Sequence, residues 1–375
     1  MEHLGVNALF LIPGEVGGTQ TYIVETLRAM LPMLPCRCTV FTNSECDAFL
    51  REELGGVRAP NGLGFDCLGF RARMRPSRIL REQLQLPRHV RRAGCDVLWS
   101  PGYTAPLLCS AHQVVSIHDM QYRRFPGDLS IPAWLATHIL VTMAARRCDR
   151  VVTVSDFARG EIVRFARVDA GKIAVTGNGV SGSVSGGKPA KMADGAPFIL
   201  TVAASYPHKN LPALVRAFAD IAGEFPHRLV IVGGRGLGEK ALSAAIAASP
   251  VRGRIERRSW VSAEELAGLY AGAGLFAMPS LYEGFGIPVI EAQRAGVPVV
   301  ATRCASLPEV CGKAAIYADG ESETALAAAI CRGLRLAPGE REALVASGRD
   351  NAARFTWARC AELTLAAISD ATAAH

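Results

Sequence analysis

The segment 275–301, LFAMPSLYEGFGIPVIEAQRAGVPVVA, contains a strand pattern, a loop, a helix start and a second strand pattern in that order. The apolar runs Leu275–Met278 and Val297–Ala301 predict buried strands. Pro288 fits the first turn of a helix between them. Strands that are joined through a helix usually pair in parallel. The segment therefore predicts one βαβ unit of an open α/β fold.

The same alternation of short apolar runs and helical patterns continues along the rest of the chain. Further strands are predicted at Val6–Ile12, Cys38–Thr42, Val97–Trp99, Val114–Ile117, Val151–Val154, Ile173–Thr176, Phe198–Ala203 and Leu229–Val232. Helices are predicted at Thr19–Leu31 and Asp156–Ala166. The spacing of Ser262 and Glu265 predicts a capping box at the start of another helix.

A polar stretch without apolar periodicity, SGSVSGGKPAKMADGAP, predicts a linker at 181–197. Because 375 residues exceed the usual size of one hydrophobic core, we predict a domain on each side of it, 1–180 and 198–353. Each is expected to be a Rossmann-like, doubly wound parallel-sheet domain. The two are expected to face one another across a cleft, where ligands commonly bind.

Composition narrows the class of protein. Half of the residues are apolar and a fifth are charged, as in globular proteins. The eleven cysteines are scattered without a C-x-x-C motif, which favours reduced thiols. The N-terminus MEHLGVNALFLIPGE has no basic region or cleavage site, so it predicts a strand and a cytoplasmic protein. The apolar run Leu129–Ala145 stops short of the ~20 residues of a spanning helix and predicts a buried helix.

Positive charge is concentrated in the stretch 71–92, which holds eight arginines and one acid, Glu82. That local excess equals the formal net charge of the chain, +7. Two interpretations stay open: a solvated helix face, or a surface for anionic lipid headgroups or a phosphate-bearing acceptor. Nucleic acid is not expected as a partner, because neither interleaved aromatic residues nor a binding motif accompanies the charge.

Two candidate sites occur in the first half of the chain. Gly17 and Gly18, in the loop 14–19 after the first predicted strand, leave helix-start amides free for a phosphate or a sugar. A plain tight turn is the alternative. In the run VVSIHD, His118 and Asp119 end a strand, where an imidazole can bind a sugar hydroxyl. Asp119 would orient the ring or contact an acceptor, although a structural role for both is common.

Two candidate loops in the second half are suited to a nucleotide. In SYPHKNL, Lys209 lies near a helix start and would add a full charge to the helix dipole, a suitable seat for a diphosphate. A surface lysine in a loop is the alternative. Gly234, in the glycine-rich loop 233–236, can approach a base or ribose by its backbone.

The most specific pattern is the pair Glu283 and Glu291, eight residues apart around a helix start. The turn that contains Gly284, Phe285, Gly286 and Ile287 can hold a diphosphate on free amides. Glu291 is then placed to accept hydrogen bonds from ribose hydroxyls, and Glu283 to face the sugar. Two acids beside a diphosphate would repel it unless each of them faced hydroxyl groups. The pair therefore favours a sugar nucleotide as ligand over a bare phosphate. The alternative is a capped structural helix.

Together these residues resemble a retaining glycosyltransferase of family 4 with the GT-B fold, along nearly the whole chain. The E-x7-E motif of that family matches Glu283 to Glu291, and its phosphate-binding lysine matches Lys209. The glycine loop of the family matches Gly17-Gly18, and its active-site histidine matches His118. The runs VVTVSDFARGEI and SLPEVCGKAAIYAD also resemble family sequence. The last segment, 354–375, resembles the family helix that crosses back to the N-terminal domain.

The resemblance implies transfer of a hexose from a nucleotide sugar with retention of configuration, without a metal or another cofactor. It implies acceptor binding by 1–180 and donor binding by 198–353. The catalytic residues would be Glu283, His118 and Lys209, with Asp119 on the acceptor. The donor-binding set would be Gly17, Gly18, His208, Lys209, Gly234, Glu283, Gly284, Phe285, Gly286, Ile287 and Glu291.

One position departs from the family pattern, because many members carry an arginine five residues before the lysine and this chain has Ala204. His208 or Arg303 could supply the missing charge. The runs SYPHKN and SLYEGFGIP resemble mannosyl- and related hexosyltransferases of surface-polysaccharide assembly, and this resemblance implies GDP-mannose as donor, ahead of UDP-hexoses. The implied acceptor is a glycan on a polyprenyl diphosphate, which would bring 71–92 to the inner face of the membrane. Alternatives are an epimerase, a phosphorylase, or a non-catalytic sugar-nucleotide-binding subunit of a polysaccharide assembly complex.

Overall fold

The computed structural model describes residues 1–15, 17–180 and 187–373. Val16 of the glycine loop, the first part of the predicted linker (181–186) and the last two residues lie outside the described residues. The chain forms two compact units. Unit 1 comprises Met1–Gly179 and Thr356–His375, and unit 2 comprises Val180–Phe355.

Unit 1 is built on a parallel sheet, in which the described residues form seven strands. The strands are β1 (His3–Asn7), β2 (Arg37–Thr42), β3 (Leu63–Cys67), β4 (Val97–Ser100), β5 (His112–Ser116), β6 (Arg150–Thr153) and β7 (Ile173–Val175). Their order is β3-β2-β1-β4-β5-β6-β7. The helices are α1 (Gly18–Met30), α2 (Asp47–Gly55), α3 (Arg75–Leu84), α4 (Leu86–Ala93), α5 (Gln121–Arg124), α6 (Ile131–Arg147) and α7 (Asp156–Ala166).

Unit 2 is also built on a parallel sheet, with six strands among the described residues. They are β8 (Phe198–Val202), β9 (Arg228–Val232), β10 (Ile255–Arg258), β11 (Leu275–Met278), β12 (Val299–Thr302) and β13 (Ile316–Ala318), in the order β10-β9-β8-β11-β12-β13. The helices are α8 (Leu211–Ile221), α9 (Glu239–Ala248), α10 (Ala263–Gly272), α11 (Ile287–Ala295), α12 (Leu307–Cys311), α13 (Glu323–Leu334) and α14 (Pro338–Ala353). The last helix of the chain, α15 (Trp357–Ala373), belongs to unit 1 and packs on α1.

The central strands are buried on both faces, which explains their continuous apolar runs. In unit 2, Leu200, Val230, Phe276 and Val300 are at most 1% exposed. Each such side chain stabilises the fold by about 1.5–3 kcal/mol. The strand order reverses between β1 and β4 in unit 1 and between β8 and β11 in unit 2. These are the switch points at which doubly wound sheets bind ligands, at the carboxyl ends of the strands.

The predicted α/β class with parallel sheets is confirmed. Three strands were not predicted, β3, β10 and β13, and all three lie at a sheet edge. An edge strand is paired on one side and partly exposed, so it does not need an apolar sequence. The run Ile255–Arg258, IERR, is such a case.

The predicted strand Val6–Ile12 is wrong in its second half, because β1 ends at Asn7. The apolar residues that follow are buried as a loop. The side-chain amide of Asn43 donates to the carbonyls of Leu9 and Leu11 at 3.1 and 2.9 Å, which satisfies them outside the sheet.

Two helix predictions hold in part. The run Leu129–Ala145 is helical in α6, but Ile131, Leu135 and Ile139 are 83%, 49% and 50% exposed, so the helix is not buried along its whole length. Ser262 Oγ accepts from the Glu265 amide at 3.1 Å and caps α10. Glu265 itself pairs with an arginine on β10 instead of completing the capping box. Within the described ranges, no helix combines the length and the apolarity needed to cross a membrane.

Candidate functional site

The ion pair between Lys209 and Glu283 is the centre of the candidate site in unit 2. Lys209 lies in the turn between β8 and α8, and Glu283 lies in the loop after β11. Lys209 Nζ donates to both carboxylate oxygens of Glu283 at 2.8 Å, and Ser280 Oγ donates to Oε1 at 2.7 Å. Glu283 is 7% exposed. The two sequence-predicted residues therefore meet at the switch point of the sheet.

The turn that carries Lys209 is fixed to the loop of Glu283 by its backbone. Asn210 has the left-handed φ of 53°, which suits asparagine and reverses the chain just before α8. The carbonyl of His208 accepts from the Leu281 amide at 2.7 Å. The ammonium and the carboxylate are thus positioned by two loops, after β8 and after β11, that are hydrogen-bonded to one another.

The turn before α11 keeps amides free, as the sequence predicted. Gly286 has φ 101°, a backbone conformation that favours glycine, and a Cβ there would lie 2.8 Å from the side chain of Leu307. In the described part of the chain, the amides of Gly286 and Ile287 donate no hydrogen bond. Amides at a helix start bind anions readily. The side chain of Phe285 packs edge-on against Phe355, with ring centroids 5.4 Å apart.

Glu291, on α11, is held by a residue that the sequence did not single out. The hydroxyl of Tyr270, a fully buried residue on α10, donates to Glu291 Oε2 at 2.7 Å. Burial raises the pKa of the Glu291 carboxyl, although the Tyr270 hydrogen bond partly offsets this. Within 1–15, 17–180 and 187–373, Glu291 Oε1 has no hydrogen-bond partner. Oε1 is therefore available to accept a hydrogen bond from a ribose hydroxyl, while Oε2 is held by Tyr270.

Gly234 lies in the loop after β9, which is bonded to the loop after β8. Its carbonyl accepts from the Ser205 amide at 3.0 Å. Ser205 Oγ accepts from the Gly236 amide at 2.8 Å and donates to Glu239 at 2.5 Å. Arg257, on the unpredicted strand β10, completes this network through Glu239 at 3.3 Å. Ser205, Glu239 and Arg257 are the loop-fixing residues that sequence reasoning missed.

The charge missing at Ala204 is not replaced by an ionised His208 in this structure. His208 is 3% exposed, and burial, together with the nearby Lys209 ammonium, lowers its pKa to about 4. A neutral imidazole can hydrogen-bond a phosphate but adds no charge. The other candidate, Arg303, places its guanidinium 4.3 Å from the ring centroid of Tyr317. A diphosphate role for either residue stays a prediction.

His118 and Asp119 lie in unit 1, after β5. His118 Nε2 donates to the carbonyl of Pro101 at 3.1 Å, and its ring lies 4.4 Å from that of Tyr22 in an edge contact. Burial lowers the pKa of His118 to about 4, so the ring is neutral with Nδ1 as acceptor. Asp119 Oδ1 accepts from the Gln121 amide at 3.0 Å and supports the start of α5.

The buried imidazole of His118 predicts a loss of stability in mild acid. Its pKa falls from an unfolded value of 6.5 to about 4 on folding. The unfolded chain therefore binds the proton first, and the free energy of unfolding should fall by at most about 3 kcal/mol as pH is lowered from 6.5 to 4. Urea unfolding of wild type and His118→Gln across this range measures the effect. Equal pH slopes for the two proteins would contradict it.

Gly17 and Gly18 begin α1, also in unit 1. Gly17 is the residue before the helix and has φ 50° and ψ −126°, a backbone that favours glycine. A Cβ added at either position would meet no atom of the described residues within 4 Å. The backbone conformation of Gly17, and not close packing with the described residues, therefore favours glycine at this position.

The predicted absence of a metal stays a prediction. Across residues 1–15, 17–180 and 187–373, no group of three or more His, Cys, Asp or Glu side chains could hold a metal ion.

Sequence models of two families match the chain, one in each half. The model described as Glycosyltransferase Family 4 matches residues 16–183, and the model described as Glycosyl transferases group 1 matches residues 196–335. The fold is similar to the crystal structure of Anabaena HepE in complex with UDP and glucose, with a TM-score of 0.74 and 17% identity. That likeness covers 99% of this chain and 100% of the other.

The fold and the matched models define a glycosyltransferase of the GT-B type. The chain carries a glycosyltransferase family 4 domain, followed by a domain of glycosyl transferases group 1. It is 34% identical over 225 residues to the O-antigen chain mannosyltransferase B of Escherichia coli, covering 57% of this chain and 59% of that protein. It is 26% identical over 316 residues to the O-antigen chain mannosyltransferase RfbU of Salmonella typhimurium, covering 84% and 86%. The predicted family and fold are therefore confirmed.

Proposed function

We propose that this protein transfers a hexose, mannose from GDP-mannose, to a hydroxyl of a glycan acceptor in the assembly of a surface polysaccharide or a lipid-linked oligosaccharide. The observation that carries the proposal is the Lys209–Glu283 pair at the switch point of unit 2. The similarity to two O-antigen mannosyltransferases supports the sugar. A UDP-sugar is the alternative donor, and the fold neighbour HepE, which was solved with UDP and glucose, keeps that alternative open.

The donor would displace the ion pair. Lys209 would turn from Glu283 to the diphosphate, and the free amides of Gly286 and Ile287 would bind the same group. Glu283 would then hold hydroxyls of the transferred sugar, with Ser280 still donating to it. Glu291 would accept from the ribose hydroxyls. Each carboxylate thus faces hydroxyls, so neither repels the diphosphate.

The reaction would retain the configuration of the sugar. The bond between the anomeric carbon and the diphosphate oxygen breaks as the acceptor oxygen attacks on the same face. The acceptor proton passes to the departing phosphate. Lys209 and the helix amides stabilise the negative charge that develops on that leaving group. No step requires a metal, so activity is expected to survive a chelator.

The acceptor would be a glycan on a polyprenyl diphosphate at the inner face of the membrane. Unit 1 presents exposed apolar side chains within the arginine stretch 71–92, and more of them on α6. Those in the stretch are Met74, Leu80 and Leu84, at 68%, 60% and 56% exposure. Apolar and cationic groups together suit an anionic lipid surface. Leu80→Asp with Leu84→Asp should weaken sedimentation with phosphatidylglycerol vesicles; unchanged sedimentation would refute the contact.

A donor-consumption assay tests the proposed function. Purified protein is incubated with GDP-mannose, and release of GDP is measured with and without an acceptor extract. An active transferase is expected to release GDP slowly without acceptor, by hydrolysis of the donor, and to release it faster when acceptor is present. A non-catalytic binding subunit releases no GDP. Absence of turnover with every GDP- and UDP-sugar, despite binding, would favour the non-catalytic alternative.

A further inference from the structure

A buried polar network occupies the switch point of unit 1. Glu82, on α3, is 4% exposed. It accepts from Asn7 Nδ2 at 2.8 Å and from Thr104 Oγ1 at 2.9 and 3.0 Å. Asn7 ends β1, and its amide also donates to Ser100, which ends β4. The one acid of the arginine stretch thus fixes α3 to the two strand ends where the sheet order reverses.

Arg78 lies one helical turn before Glu82, on the same face of α3. Its Nε is buried without a partner. In the described part of the chain its Nη atoms also have no hydrogen bond, ion pair or ring contact, and they are not buried, so they open to solvent. Burial lowers the pKa of Arg78, with Glu82 partly opposing this. Contrary to the interpretation as one solvated face, this arginine is partly buried on the face of α3 that carries Glu82.

Neighbouring arginines of the stretch are engaged within unit 1. Arg73 donates to Glu15 at 2.5 Å and lies 3.5 Å from Glu45. Arg81 donates to Gln85 at 3.1 Å and lies over the ring of Phe70. Glu82 accepts from Asn7 and Thr104, and its charge partly balances that of Arg78 from one helical turn away. Among the described residues, the guanidinium of Arg78 nevertheless has no hydrogen-bonded anion.

The loop that Glu82 contacts through Thr104 is held in a strained conformation. Tyr103 has φ 71°, a value that costs free energy for a bulky side chain and is common at functional sites. The loop is anchored on both sides. Gln83 of α3 donates to the carbonyl of Ala105 at 3.0 Å, and the ring of Tyr103 lies 5.2 Å from that of His118. α3 and the predicted active-site histidine therefore brace the same loop.

We propose that Arg78 binds a phosphate group of the acceptor at the switch point of unit 1. The assignment to an acceptor rests on the proposed function; the anion site itself does not. A planar guanidinium can donate two parallel hydrogen bonds to phosphate oxygens. A partly buried guanidinium whose hydrogen bonds are not made is costly, and a phosphate that accepts those hydrogen bonds removes that cost. The diphosphate of the donor has a separate cation in unit 2, Lys209.

Calorimetric titration of the full chain with inorganic pyrophosphate tests the site. GDP is added first at saturation to occupy the donor site, and the titration is repeated without GDP. Arg78→Gln should raise the pyrophosphate dissociation constant at least about tenfold, because a charge-assisted bidentate contact is lost. The matched control is Arg58→Gln, which removes an exposed arginine of unit 1 outside the stretch and should bind like wild type.

Two further measurements separate the explanations. Arg78→Lys keeps the charge without the guanidinium fork and should bind pyrophosphate several-fold more weakly than wild type, which decides the matter if Arg78→Gln does not fold. Arg78→Gln should still sediment with phosphatidylglycerol vesicles. The proposal is overturned if Arg78→Gln and Arg78→Lys both fold and bind pyrophosphate like wild type. It is also overturned if Arg78→Gln loses vesicle binding while its pyrophosphate binding is unchanged. Failure to bind GDP would instead count against the proposed function.

Discussion

Lys209→Ala is expected to lower turnover with the nucleotide sugar by at least about 100-fold. The ammonium is the one cation that the described structure brings to the carboxylate of Glu283, at 2.8 Å from both oxygens. Ala204 stands in place of the family arginine, so the proposal assigns the stabilisation of the leaving diphosphate chiefly to Lys209. The loss should therefore fall on the chemical step, and initial rates at saturating donor measure it.

The matched control for this variant is Lys191→Ala, which removes an exposed lysine from unit 2. Urea unfolding of each variant tests whether unit 2 remains folded, since Lys209→Ala leaves a buried carboxylate without its cation. A folded Lys209→Ala with the turnover of wild type would remove Lys209 from the mechanism.

Glu283→Ala is expected to lower turnover to a similar extent, at least about 100-fold. Its carboxylate is fixed by Lys209 and by Ser280 Oγ at 2.7 Å, so it is already oriented before the sugar arrives. Removing it leaves the sugar hydroxyls without an acceptor. Glu283→Gln keeps the shape and removes only the charge. Steady-state kinetics should show the loss in kcat more than in KM.

Glu342→Ala, on an exposed position of α14, is the control for the carboxylate. If Glu283→Ala and Glu283→Gln both fold and turn over like this control, Glu283 does not contact the reacting sugar. A fall in donor affinity with unchanged kcat would likewise reassign it to ground-state binding.

The central strands of both sheets could be predicted from the sequence, whereas several strands at the sheet edges could not. Leu275–Met278 is a continuous apolar run, and Phe198–Ala203 is apolar except for Thr201, because helices cover both faces of the sheet. Ile255–Arg258 carries three charged residues and forms β10, because its outer edge has no partner strand. A hydrophobic pattern indicates a strand only through its burial. Edge strands are less buried than central strands, so the pattern does not reveal them.

Site residues could be predicted individually, but their contacts could not. Lys209 and Glu283 are 74 residues apart, and only the strand order β8-β11 brings their loops together. The hydrogen bond from Tyr270 to Glu291 depends on how α10 packs on α11. The arginine stretch shows the same limit. The sequence shows its charge, but it does not show which arginine is partly buried, because that depends on how Glu82 anchors α3.

A thermal-shift series with GDP-, UDP- and ADP-sugars tests the central claim most directly, because a ligand that binds the native state raises the melting temperature. The account predicts that GDP-mannose raises it most, and that Lys209→Ala removes the rise while Lys191→Ala keeps it. A larger rise with a UDP-sugar would change the donor and leave the class intact. No rise with any nucleotide sugar in the folded wild-type protein would contradict the account.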